Sequence, residues 1–455
     1  MTQSERTQVL GDELPPSDRG RRAAEAAWRI EWPKLVARLT RMFGDIDAAE
    51  DLAQDALVAA LEQWPRDGVP PNPGAWLMLT AKHRAIDRLR RDAAFRRKLS
   101  VLGGELVIED AEPSLPASVD PDLAIEDDLL RMTFTACHPV LPPPARVALT
   151  LRLVGGLTTA EIARAYLVPE STVAQRIVRA KRRLTTERIP YEVPHGADLA
   201  SRLGSVLDVI YLIFNEGYTA TSGEDWVRVE LVEEGLRLGR ILTGLMPDEP
   251  EAHGLAALLE LQSSRVWARS TPAGALVLLA DQDRTDWNRL LIRRGFAELG
   301  RAHALNHRHR RPPGRYALQA GIAAAHAMAA TPEETDWRRI AGLYSVLAQR
   351  FPSPIVELNR AVAVAMVDGP GAGLELLEAI AGAGALSDYH LSHAVRGDFL
   401  ARLGRDEEAA TSFRRAAELT ANIAEQEFLR NRTNACVHGR GQRSEEHTSE
   451  LQSPC

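Results

Sequence analysis

Apolar residues recur every three or four positions along most of the chain, the spacing that gathers them on one face of a helix. Leu52, Ala56, Ala59, Ala60 and Gln63 follow it. Asp47 with Glu50 at the third position beyond it predicts a capping-box-like start to that helix. A proline- and glycine-rich stretch, residues 65–73, interrupts the pattern. A second long helix is expected over residues 74–99, with Trp76, Leu77, Leu79, Ala85, Ile86 and Leu89 as its buried side. Further on, Thr158 and Glu161 form a capping box, and Ala160, Ile162, Ala163 and Ala165 carry the helix forward. The break at Leu167, Val168 and Pro169 precedes another helix whose inner face is Val173, Ile177, Ala180 and Leu184. Two helices about a short turn, the second one basic, predict a helix-turn-helix.

The same rhythm fills the rest of the chain and predicts an all-α fold. The expected division is a polar tail over residues 1–22, a helical module over 23–100, an acidic linker over 101–125 and the helix-turn-helix module over 126–189. A helical extension follows over 195–310, then helix pairs over 315–432. That last stretch carries a repeat signal: Gly397, Leu400, Ala409, Phe413 and Ala416 fall at the small/large spacing of a tetratricopeptide (TPR) unit, with Gly404 at its turn. Ala372, Leu376 and Ala379 echo the second-helix positions one unit upstream.

Composition sharpens this picture. Ala, Leu, Arg and Glu are plentiful and aromatic residues make up 5%, which favours helix over sheet. Net charge is −7, so any nucleic-acid surface must be local. The three cysteines, Cys137, Cys436 and Cys455, form no CxxC pair and point to a reducing cytoplasm. No secretory leader is visible, and the longest apolar runs are too short to span a bilayer. From Arg443 the chain reads RSEEHTSELQSPC. Residues 443–455 look like a translated sequencing-library adapter and are set aside from fold reasoning.

The helix after Gly74 carries Lys82, Arg84, Arg88, Arg90, Arg91, Arg96, Arg97 and Lys98 against Asp87 and Asp92. Such a stripe is either a solvated face or a phosphate-binding one, where counterion release drives association. On the second helix of the helix-turn-helix, Ser171, Thr172 and Gln175 sit at the end that meets base edges. Arg176, Arg179, Lys181, Arg182, Arg183 and Arg188 follow as grips for phosphate or guanine. Two helical modules, each with a basic helix, joined by an acidic linker, make a far more specific constellation than either alone.

These segments resemble the extracytoplasmic-function (ECF) sigma factors. "DAAEDLAQDALVAALEQW" from Asp47 is similar to the region 2 helix that docks on the clamp helices of the polymerase β′ subunit. "GAWLMLTAKHRAIDRLRR" from Gly74 is similar to the helix of −10 recognition and strand opening. "LTTAEIARAYLVPESTVAQRIVRAKRRL" from Leu157 resembles region 4, whose second helix enters the major groove at the −35 element. The resemblance assigns Asp47, Glu50, Asp51, Gln54 and Asp55 to core polymerase. It assigns Lys82, His83, Arg84, Asp87, Arg88, Arg90 and Arg91 to the −10 element. Ser171, Thr172, Gln175, Arg176, Arg179 and Arg183 fall to the −35 element. Residues 66–73 match the loop that captures a flipped −10 base. Trp64 and Trp76 lie on apolar faces and are expected in the core. Two positions depart from the pattern: Lys82-His83 stands where Arg-Asn is common, and Leu167 where glycine is common in the turn.

Downstream, "YLIFNEGYTA", "DQDRTDW", "PSPIVELNRAVAVA" and "YHLSHAVRGDFLARLGR" are similar to the ECF subgroup with a C-terminal TPR-type extension. The resemblance implies core RNA polymerase (β′ clamp helices and β flap) and promoter DNA as partners, with a protein partner or ligand on the extension. It implies no cofactor, no metal, no membrane segment and no catalysis. In the extension, Glu216, Asp283, Arg284 and His390 are either lining for a ligand or internal ion pairs and caps. His303, His307 and His309 lie in a basic segment expected to be loose and lack a matching acid or cysteine for zinc. A dimeric repressor with a ligand-sensing C-terminal domain would explain residues 157–184 but leaves the helices over 47–64 and 74–99 without a role.

Overall fold

A computed structural model describes residues 16–102, 121–166, 168–220, 222–223, 226–271, 276–381 and 386–437. Among these the chain is all-α, apart from a two-residue parallel pairing of β1 (Ser222–Gly223) with β2 (Ala421–Asn422). The chain divides into two compact units. One comprises residues 1–163 and 169–206, the other 164–168 and 207–455.

The first unit starts with α1 (Pro16–Phe43), so residues 16–22, expected in the tail, are helical. Helix α2 (Ile46–Asp67) is capped by Asp45, whose Oδ1 accepts from the Ala48 N–H at 2.9 Å. This corrects the expectation that Asp47 caps it. Asp47 lies in the first turn, where a carboxylate still complements the helix dipole. Leu52, Ala56, Ala59, Ala60 and Trp64 form its buried side, whereas Gln63 is exposed. Asn72 caps α3 (Pro73–Leu102) by accepting from the Ala75 N–H at 3.0 Å. The buried stripe of α3 is Leu77, Ala81 and Ala85; Leu79 and Ile86, expected inside, are exposed. The side chains from residue 88 to the end of α3 lie outside the described residues, as do the linker residues 103–120 and the tail 443–455.

Region-sized packing continues with α4 (Pro121–Ala136), α5 (Pro143–Leu153), α6 (Thr159–Ala165) and α7 (Glu170–Thr186). The capping box forms at α6: the Thr158 N–H donates to Glu161 Oε2 at 2.8 Å, and the Glu161 N–H donates to Thr158 Oγ1 at 3.2 Å. Pro169 precedes the first turn of α7, where its missing N–H costs nothing. Val173, Ile177, Ala180 and Leu184 are all buried, and each fully buried branched side chain contributes about 1.5–3 kcal/mol. Asp128 is fully buried and holds Arg38 at 3.0 Å, Arg41 at 3.2 Å and Arg131 at 2.8 Å, clamping α1 to α4. The start of α8 (Gly196–Tyr218) closes on α4, with Arg202 donating to the Phe134 carbonyl at 3.1 Å.

The second unit takes up the rest of α8 and continues through α9 (Val229–Leu245), α10 (Pro250–Ser263), α11 (Arg289–His309), α12 (Arg315–Met328) and α13 (Trp337–Arg350). Helix pairs complete it: α14 (Pro354–Asp368) with α15 (Pro370–Ala381), then α16 (His390–Arg402) with α17 (Asp406–Leu419), and last α18 (Ile423–Val437). A Cβ at Gly397 would stand 2.8 Å from the Phe413 ring, so α16 and α17 touch through a position that has room for hydrogen alone. Gly404 makes their turn at φ +76°. No helix of the described residues is long and apolar enough to cross a membrane.

Candidate nucleic-acid interface

The outward side of α7 is a polar stripe. Ser171, Gln175, Arg179, Arg182 and Arg183 are exposed, Thr172 and Arg176 half-buried. At 100° per residue, Ser171, Gln175, Val178 and Arg182 lie at the centre of that stripe and Arg176 at its margin. Val178 is 63% exposed in the middle of it. Val178 therefore joins Arg182 on the candidate face, and helical angle alone would have found it. Lys181 is turned the other way: its Nζ donates to Asp47 at 2.6 Å and to Glu50. Burial alone would lower the Lys181 pKa, but the two carboxylates outweigh it and raise the value above the ordinary lysine range.

Helix α2 repeats this plan with the opposite charge. Asp47, Asp51, Gln54 and Asp55 are exposed along one stripe, with Val58 half-exposed among them. Glu50 departs from it. It is buried and accepts from Arg152 Nε at 2.8 Å as well as from Lys181, so it faces inward. Its place in the sequence explains this, because position 50 falls about 60° off the 47–54 stripe toward the buried side. Asp55 stands 3.6 Å from Arg84 on α3.

On α3, His83 and Asp87 are exposed, Lys82 and Arg84 half-buried. Arg88, Arg90 and Arg91 have side chains outside the described residues. The preceding loop, residues 66–73, is exposed through most of its length, and Gly68 takes φ +87°. Trp64 is buried edge-on against Trp76 at 5.5 Å, in the core as expected. The turn residue Leu167 lies outside the described residues. Cys137 is buried, its Sγ 3.2 Å from Thr150 Oγ1, and burial pushes its thiol up to about 12.

In the second unit the charged candidates are engaged internally. Glu216 pairs with Arg228 at 2.7 Å. Asp283 caps the short turn after it by accepting from the Thr285 N–H at 2.8 Å. Arg284 is buried and donates to the carbonyls of His326 (3.0 Å) and Ala329 (2.9 Å) and to Thr335 Oγ1 (3.0 Å). His390 lies 3.2 Å from Glu425. His303, His307 and His309 are exposed on α11, a regular helix rather than the loose segment expected. Among the described residues, no three His, Cys, Asp or Glu side chains gather as a metal ion would require. His326 is fully buried, and neither ring nitrogen has a hydrogen-bond partner among the described residues. Burial, with Arg265 and Arg284 nearby, lowers its pKa to about 3.

Comparison with known proteins follows the same division. Residues 31–95 match Sigma-70 region 2, residues 131–184 match Sigma-70 region 4, and residues 202–303 match a family of unknown function (DUF6596). An uncharacterized protein of Rhizobium meliloti (strain 1021) is 44% identical over 88% of this chain and 92% of its own length. The probable ECF RNA polymerase sigma factor SigI of Mycobacterium tuberculosis is 30% identical over 37% of this chain, which spans just 56% of that protein. The ECF RNA polymerase sigma factor SigK of Mycobacterium ulcerans is 32% identical over 33% of this chain and 75% of its own length. No solved structure matches. With both Sigma-70 regions present and that likeness running through most of a SigK, the chain belongs to the ECF RNA polymerase sigma factors.

Proposed function

We propose that this sigma factor directs core RNA polymerase to its promoters by reading two elements with two modules. Region 4 reads the −35 duplex through α7. Ser171, Thr172, Gln175 and Val178 meet base edges, while Arg179, Arg182 and Arg183 grip phosphate or guanine. Region 2 binds the −10 element through α3, with Lys82, His83, Arg84, Asp87, Arg88, Arg90 and Arg91, and the loop 66–73 receives an unstacked base. Asp47, Asp51, Gln54 and Asp55 of α2 dock on the basic β′ clamp helices, and region 4 reaches the β flap. The mechanism is binding and strand separation, without catalytic residues, and it operates in the cytoplasm.

The observation that carries this reading is α7 itself: a polar, arginine-rich outward stripe held rigid over four fully buried apolar positions. Helices α14 to α17 support a TPR-type reading of the C-terminal region, as a platform for a protein partner or ligand that regulates the initiating modules. Run-off transcription with purified core polymerase tests the proposal. The expected result is a transcript from promoters carrying a defined −35 and −10 pair, lost when either is scrambled. Tight duplex binding without polymerase and without a specific transcript would overturn it.

A further inference from the structure

Lys181 ties the proposed −35 helix to the proposed polymerase-docking helix. It sits on α7 with its side chain 11% exposed, and its ammonium bonds both Asp47, at 2.6 Å, and Glu50 of α2. Arg152, at the end of α5, holds the same Glu50 at 2.8 Å and lies over the Trp32 ring of α1 at 4.7 Å. The Trp32 Nε1–H donates to the Arg152 carbonyl at 3.1 Å. Tyr191, just beyond α7, donates across the same seam to the Ala37 carbonyl, 2.9 Å away. Regions 2 and 4 are thus sewn together by bonds between residues more than 100 positions apart.

This arrangement conflicts with simultaneous reading of both elements. Centres near −35 and −10 lie about 25 base pairs apart, roughly 85 Å at 3.4 Å per step. Helices joined by a lysine–carboxylate bond cannot span that length. The same bond occupies the N-terminal end of the acidic stripe, so docking of α2 and retention of Lys181 compete for Asp47.

We infer that the Lys181–Asp47–Glu50 contact is an autoinhibitory lock, which closes region 4 over the polymerase-docking helix until core polymerase displaces it. The inference rests on the proposed roles of α2 and α7. Affinity for core polymerase is then reduced by the fraction of chains that are open, and weakening the lock raises it. Glu50 keeps Arg152 when Lys181 is replaced, so the substitution leaves no buried carboxylate alone.

The test compares the full-length chain with its Lys181→Met variant in binding to core polymerase without DNA. The expected result is about tenfold tighter binding by the variant, with an unchanged thermal midpoint. A second measurement leaves the lock intact: dyes on Glu62→Cys of α2 and Thr186→Cys of α7 report energy transfer. Transfer is expected to be high in the isolated chain and to fall on adding core polymerase and a promoter duplex. Unchanged affinity in a folded Lys181→Met variant, or transfer that stays high in an initiating complex, overturns the lock. A wild-type chain that binds no core polymerase fails the functional reading instead, so the two failures are told apart.

Discussion

Arg182 and Arg284 show two uses of one side chain. Arg182 stands exposed at the centre of the α7 stripe and makes no ion pair among the described residues. Arg284 is buried in the second unit, where its two terminal nitrogens donate to two carbonyls and a hydroxyl. In the sequence Arg182 sits in a run of basic residues and Arg284 in a polar string with acidic and amide neighbours, and both suggest a site. The difference lies in whether the fold has already engaged the guanidinium. An engaged one stabilises the fold, and one left outward is available to a partner.

The contrast predicts a graded set of outcomes. Arg284→Ala strands the His326 and Ala329 carbonyls and Thr335, and should cost the second unit about 3–5 kcal/mol in denaturant unfolding. A loss under 1 kcal/mol would mean the site relaxes and the arginine is not structural. His326 adds a pH signature. Its folded pKa of about 3 lies below the ordinary value of 6.5, so the unfolded state binds the extra proton between them. Its contribution to stability is intact above pH 6.5 and falls on acidification toward pH 3. His326→Phe should flatten that slope, and an unchanged acid profile would exclude the imidazole as its source. Arg182→Ala should lower −35-dependent run-off transcription by about 10- to 100-fold, the loss of one good base or phosphate contact, without moving the thermal midpoint. Arg176→Ala, at the margin of the stripe, should cost less than Arg182→Ala; the reverse order would mean that α7 enters the groove turned from its outward face. Last, Val178→Ser should change preference at one base pair by a few-fold, through a lost apolar contact of the kind thymine methyl groups accept.

Where the periodicity was strong, the sequence was sufficient. The four inner residues of α7 and the Thr158–Glu161 box appear as expected, because local spacing alone dictates them. Glu50 was misread because its partners, Arg152 and Lys181, come from helices far along the chain, and no local pattern encodes that meeting. Leu79 and Ile86 were misread for a simpler reason. They are apolar residues on a helix whose buried stripe is narrower than its apolar content. Arg284 illustrates the third limit: a buried polar network of three acceptors has no sequence signature.

Asp128 also has a consequence for synthesis. Its acid is matched to Arg38, 90 residues earlier, and to Arg41. At about 5–20 residues per second, the ribosome needs roughly 5–20 s to deliver the carboxylate after the first arginine has been made. During that interval α1 carries two guanidinium groups, both partly exposed in the finished unit, without the buried acid that will pair with them. The first unit therefore completes late, when α4 has left the ribosome, and nascent region 2 passes through a more cationic form than the finished protein has.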